Sequence, residues 1–217
     1  MLRIGVGICG CACALALVKS AAAAEPERER GFSLRLRTAV AFPAGEQDND
    51  HDLADTFGVL VPVELEAGYW VLPRLLIGAR GAVGLLTVAD ESCAPPLECG
   101  GTSYRFGAVV EYAFDRGGKF RKWGSAGVGY EIARLAIHRD SSSASRVDSG
   151  PEYLHAELGG DFALGGSFAV GPFLGASIAE FRTATLRQGD GSEASYSIQE
   201  SKLHEWYFIG VRGTWDP

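Results

Sequence analysis

Beyond its first two dozen residues this 217-residue chain has no apolar run as long as the ~18 residues that a membrane-spanning helix requires. Methionine occurs once and cysteine five times. Basic residues are outnumbered, 20 against 27 acids, for a formal net charge of −7. That balance excludes general nucleic-acid binding, because phosphate has to be met by Lys and Arg. A charged fraction of 22% and an aromatic fraction of 10% are not the composition of a disordered chain. The length suits one domain with a real core rather than two. Glycine, by contrast, is abundant: 29 of 217, about 13% against a usual ~7%.

The N-terminus reads as an export signal. Met1-Leu2-Arg3 is a short basic start, residues 4–18 are apolar, and four alanines precede Glu25. Cleavage after Ala24 leaves residues 25–30 as a short tail and 31–217 as the domain. Cys9, Cys11 and Cys13 depart with the signal, leaving Cys93 and Cys99. An even pair six apart in an exported chain reads as a disulfide across a Pro-rich loop.

The mature chain alternates. Eight segments, 32–42, 57–70, 75–86, 103–114, 124–135, 153–164, 168–179 and 204–215, carry the period-two pattern of strands with two unlike faces. Of 45 positions on the apolar faces none is charged, where the chain average of 22% would place about ten. The opposite faces carry Arg35, Arg37, Arg80, Arg105 and Arg212 with Glu64, Glu66, Glu111, Glu131, Glu157 and Asp161. Tyr153 belongs to that polar parity too, and Pro62 and Pro172 are candidate bulge positions. Connections alternate between short (71–74, 115–122, 165–167) and long (43–56, 87–102, 136–152, 180–203). The fold class is therefore all-β, an eight-stranded antiparallel up-and-down barrel.

Which face points inward decides between a soluble and a membrane barrel. Aromatics gather near strand ends on the apolar face: Phe32, Phe42, Phe57, Tyr69, Tyr104, Tyr112, Phe114 and Trp215. Interfacial girdles lie there in a transmembrane barrel. The polar-face charges are nearly balanced and none is Lys. An enclosed lumen demands such pairing, and the guanidinium fork suits it. The reading is a transmembrane barrel with a side-chain-plugged lumen; the alternative is a soluble, secreted, lipocalin-like ligand-binding barrel.

The signal peptide, the hairpin VLPRLLIGARGAVG, the strands GSAGVGYE and GPFLGAS, and the last strand YFIGVRGTW carry a resemblance. The chain resembles the small eight-stranded outer-membrane β-barrels of Gram-negative bacteria, the group of the OmpA transmembrane domain and OmpX. Trp215 takes the place of the family's terminal aromatic, with Asp216 and Pro217 as two extra residues. The resemblance implies residence in the outer membrane, contact with its lipid and lipopolysaccharide, and insertion by the outer-membrane assembly machinery. It implies no specific activity. The role expected is structural, or binding and adhesion through the long loops, whose partner the sequence does not name.

Candidate chemistry is thin. In lipid A-modifying barrels of the deacylase kind a His and a Ser lie two apart on a lipid-facing strand. None of His51, His138, His155 and His204 has that neighbour, and His155 and His204 fall on the lumen face, as members of its hydrogen-bond network. A membrane hydrolase is thus a minor alternative; no catalytic residue, metal or cofactor is expected. The segment 45–55 holds Glu46, Asp48, Asp50, Asp52 and Asp55 without the EF-hand pattern, and reads as a solvated acidic loop. Residues 141–145 read as a loop tip.

Overall fold

A computed structural model describes residues 31–46, 52–89, 93, 97–115, 118–139 and 142–217. The signal peptide 1–24, the tail 25–30, Asp48, Asp50, His51 and the start of the 141–145 tip lie outside the described residues.

Ten strands and one short helix follow in order: β1 (Phe32–Gly45), α1 (Leu53–Thr56), β2 (Phe57–Leu72), β3 (Leu75–Val88), β4 (Glu98–Ala113), β5 (Phe120–Arg139), β6 (Ser142–Gly165), β7 (Phe168–Glu180), β8 (Thr183–Gln188), β9 (Glu193–Ser197) and β10 (Leu203–Trp215). Eight of them, β1 to β7 and β10, close a ring: consecutive strands pair antiparallel, β7 pairs β10, and β10 returns to β1. The eight expected segments are these eight strands. Short turns lie at the end where β1 begins and β10 finishes, the turn end. In one of them Gly165 and Gly166, at φ +120° and +56°, supply a backbone that other residues resist. The opposite, loop end holds the longer connections.

The alternation sets which way each side chain points. Leu36, Val63, Leu85, Leu174 and Ile209 face outward, with Leu85 at 73% exposure. Arg35, Glu66, Glu111 and Glu131 on the other parity are at 1% or less. The surface of the ring is apolar and the interior charged, the inverse of a water-soluble barrel. The lipocalin-like alternative, which needs the charges outside, is thereby excluded. Phe32, Phe42, Tyr69, Tyr104, Tyr112, Phe114 and Trp215 all face outward near strand ends, forming the two girdles.

Phe57 is a correction. It was expected in the girdle but is buried at 1%. Between the pairs Phe57↔Val88 and Leu60↔Leu86, β2 spends one residue more than β3. That bulge resets the parity, so Phe57 and Leu60 both point inward. Tyr153 is the second correction, exposed rather than in the lumen. The pairs Glu152↔Ala179 and Leu154↔Ile178 place the extra residue of β6 at this point, and it is turned outward. Pro62 and Pro172 mark no bulge. The β1–β2 pairing skips from Thr38↔Val63 to Ala41↔Leu60, and the β6–β7 pairing from Gly159↔Phe173 to Phe162↔Val170. Each proline simply lacks the N–H a neighbour would use. Beside Pro172, a Cβ on Gly171 would run into the Gly160 carbonyl oxygen, so only glycine allows that approach.

The long connections are a third correction. Much of 87–102, 136–152 and 180–203 is strand. Above the ring, Glu98–Ser103 of β4 pairs Ala133–His138 of β5, the β5–β6 hairpin continues to Ser142, and β6 pairs β8, which pairs β9. A five-stranded sheet, β4-β5-β6-β8-β9, therefore stands beyond the ring.

Candidate functional site

Alternation delivers eleven expected charges to the lumen, and all eleven are buried there. Nearest the turn end, Trp70, Leu76 and Ala113 form a small apolar floor. Asp216 is folded in beside it and accepts from Trp70 Nε1 at 3.3 Å, with Arg121 Nη1 3.9 Å away. Above the floor, Asp161 accepts from Nε and Nη2 of Arg212, in three contacts at 2.7–3.1 Å, and from Trp123 Nε1 at 3.1 Å. Arg212 also reaches Glu111 at 2.5 Å and lies flat on Trp123, its Cζ 3.3 Å from the ring centre. Such stacking lets a planar cation be buried without losing its hydrogen-bonding edge.

Arg35 bridges Glu66 and Glu111, the latter at 3.0 Å. Arg37 meets Glu66 at 2.6 Å, Glu64 at 3.2 Å and Glu157. Arg80 joins Glu64 at 3.3 Å to Glu152. Higher still, Arg105 meets Glu131 at 2.8 Å and sits against the rings of Trp206 and Phe208. Half of these ten pairs join neighbouring strands and half join non-adjacent ones, so the bonds cross the lumen as well as run along the wall.

Glu152 is the member that sequence reasoning missed. Simple parity puts it on the lipid side with Leu154; the bulge at Tyr153 turns it inward. His155 and His204 join as expected. His155 Nδ1 is 3.2 Å from Glu152, and its Nε2 is 3.0 Å from Glu157 at an ion-pair distance without hydrogen-bond alignment. His204 Nε2 is 3.3 Å from Glu131. Five guanidiniums thus face seven carboxylates, and each histidine sits against carboxylates that already hold an arginine. The role of Trp70, Trp123 and Trp206 was also missed; the signal available was a tryptophan on the parity that carries the charges.

Toward the loop end the interior changes character. Leu53, Phe57, Leu60, Leu86, Phe181 and Trp206 form a buried apolar plug, with Leu53 brought in by α1. Asp55 of the acidic segment is used locally, accepting from the Asp52 backbone N–H at 3.1 Å. Two voids of about 20 Å³ lie in the charged zone, one beside Arg35 and Arg212, the other beside Arg37 and Arg105. Each has room for a single water.

Beyond the ring, Cys93 and Cys99 are joined as the sequence suggested, tying the β3–β4 connection to the first turn of β4. In the outer sheet Arg187 meets Glu193 at 2.6 Å and Thr185 Oγ1 meets Ser195 Oγ at 2.8 Å. The outer edge of β9 pairs with no strand among the described residues, and every residue of β9 is exposed.

No protein-family model matches the sequence, and no curated protein matches it. Among solved structures the chain is similar to a major outer membrane protein from Thermus thermophilus, with a TM-score of 0.56 at 14% identity over 88% of this chain and 100% of that one. It is also matched by OprG from Pseudomonas aeruginosa (TM-score 0.49, 12% identity, 89% and 100% covered) and by Neisserial surface protein A (0.46, 13%, 86% and 98%). With an apolar belt, aromatic girdles and a charge-filled lumen closed by β1 on β10, the chain has the fold of the small outer-membrane β-barrels.

Proposed function

We propose that this protein is an integral outer-membrane barrel of a Gram-negative bacterium with a sealed lumen, whose work is done by the sheet it holds outside the cell. The turn end then faces the periplasm and the loop end the exterior. The carrying observation is strand length: β5 has 20 residues and β6 has 24, where ~9–11 cross a membrane. The surplus builds a rigid external platform with an open edge on β9, suited to adhesion or to holding a partner. Cross-lumen ion pairs and the apolar plug argue against transport, and both lumen histidines lie away from lipid, which argues against lipid chemistry. The decisive test removes residues 183–197 and joins the ends with a short Gly/Ser linker. The ring should still assemble and shift on gels between unheated and boiled samples, while attachment of expressing cells to host or abiotic surfaces is lost. Attachment equal to that of the intact protein would overturn the reading.

A further inference from the structure

One groove lies outside the lumen. At the loop end, on the outward surface, the end of β1, the bulge of β6, the end of β7 and the start of β10 enclose about 870 Å³. Gly45, Glu46, Tyr153, Ile178, Glu180, Ser201, Lys202 and Leu203 line it. Its depth in the membrane can be read from register. Tyr207 pairs Phe42 in the upper girdle. Leu203 is four residues farther up β10; at ~3.4 Å per residue and a tilt of 35–45° that is about 10 Å along the membrane normal. The groove is at and just beyond headgroup depth.

Its chemistry is graded in the same direction. Leu203, 54% exposed, and Ile178 form the lower wall. Above them stand two cations, Lys202 in the lining itself and Arg182 held on two of the lining residues, Tyr153 and Glu180. The Arg182 side chain is 59% exposed, and among the described residues only its Nη2 is engaged, by Tyr153 Oη at 2.5 Å and Glu180 at 3.2 Å. Glu180 is itself held by the Ser201 hydroxyl at 2.5 Å and by that of Tyr153. The carboxylate therefore fixes the Arg182 guanidinium beside the groove, and its charge, like that of Glu46, competes with an incoming anion. Lys202 Nζ, 43% exposed, lies 3.8 Å from Glu46, too far for a hydrogen bond. In a chain with seven more acids than bases, the rim thus sets one loosely held cation, Lys202, and one anchored but exposed cation, Arg182, over an apolar step.

We propose that this rim groove binds the phosphorylated headgroup of an outer-leaflet lipid, Arg182 and Lys202 meeting the phosphate while Leu203 and Ile178 meet the first carbons of its acyl chains. The inference rests on the membrane placement of the barrel and not on any partner for the outer sheet. Glu46 is the competitor that the phosphate displaces from Lys202.

The full chain, refolded and placed in phosphatidylcholine nanodiscs doped with a bisphosphorylated glucosamine lipid, tests it, with bound lipid counted by native mass spectrometry. The intact protein should retain the phosphorylated lipid over its dephosphorylated form. The double variant R182Q/K202Q should lose roughly tenfold in retention or more, since charge-assisted bonds to phosphate are the strong ones. R182K/K202R should keep most of it, and E46Q should raise it. Gel mobility of unheated samples establishes that every variant is folded, so this readout survives even if the outer sheet has no partner. Equal retention by intact protein and R182Q/K202Q, indifference to the lipid's phosphates, or complete competition by millimolar inorganic phosphate would each overturn the assignment, the last by showing a free-anion site.

Discussion

The two ends of the lumen are stabilised by opposite chemistry. From the turn end upward the interior is ion pairs stacked on tryptophan; at the loop end it is Leu53, Phe57, Leu60, Leu86 and Phe181. The charged zone is enclosed by strands whose register fixes every Cα, so each guanidinium finds its carboxylates already placed. The apolar plug is formed partly by a four-residue helix and by the residue that follows β7, which have no ladder of their own. Non-directional burial can tie such segments down; a network needing angular precision cannot. Charge serves where geometry is given in advance, and apolar contact serves where geometry has to be created.

The largest effect should come from breaking the charged end. Glu66→Ala strips contacts from Arg35 and Arg37 together and leaves both buried. Losing one partner of a buried pair costs about 3–5 kcal/mol. Urea unfolding in detergent should show that loss in one cooperative step, with the unheated gel band shifted toward the unfolded position. An unchanged midpoint would mean the pairs are incidental. Val61→Arg, on the lipid face at mid-strand, checks the wall that makes the charged zone possible, at about 2–4 kcal/mol against insertion. Its read-out is the fraction folding into vesicles.

Leu53→Ala attacks the apolar end. Buried Leu→Ala changes cost about 2–5 kcal/mol, and the low end is expected because a loop can settle into the space. Limited proteolysis should cut the β1–β2 connection while the ring keeps its heat-dependent mobility. Global unfolding instead would erase the distinction between the ends. Reducing Cys93–Cys99 should matter least: it closes only a short loop, so the ring's melting should hardly move while the outer sheet loosens. The thiols should resist labelling until reductant is added. At the rim, the Ser201 hydroxyl, then that of Tyr153, with the Arg182 guanidinium, hold the Glu180 carboxyl below the usual carboxylate range. These contacts are complete above the unfolded carboxylate range and lost as pH falls through the lowered value. Arg182 should accordingly gain mobility only in distinctly acid solution, as measured by side-chain NMR.

How much of this was legible follows the same logic. Wherever one side of a strand meets lipid and the other a charged lumen, alternation is strong, and the eight ring strands and eleven lumen charges could be read directly. Above the membrane, residues 136–139 and 142–152 are still strand, yet water is available to both sides, so AIHRDSSSASRVDSG carries no period and looks like loop. Single-residue bulges were the other blind spot. The extra residues near Phe57 and at Tyr153 leave no compositional trace, but each inverts the parity of its neighbours, hiding Glu152 and misplacing Phe57.

The seam between the first and last strands sets an order of events. There Arg37 stands directly opposite Arg212, two like charges on the inner face of the closing ladder. Like charges so placed repel. Arg37 has Glu64 and Glu66 from neighbouring β2, but the partners of Arg212 arrive from elsewhere, Glu111 from β4 and Asp161 from β6, and Glu157 of β6 reaches Arg37 from 120 positions along the chain. A sheet that curled early, bringing β1 to β10 before the middle strands were seated, would meet repulsion at its own join. Closing the seam is most favourable with β4 and β6 already in place, because Glu111 and Asp161 are what take up the charge of Arg212 there.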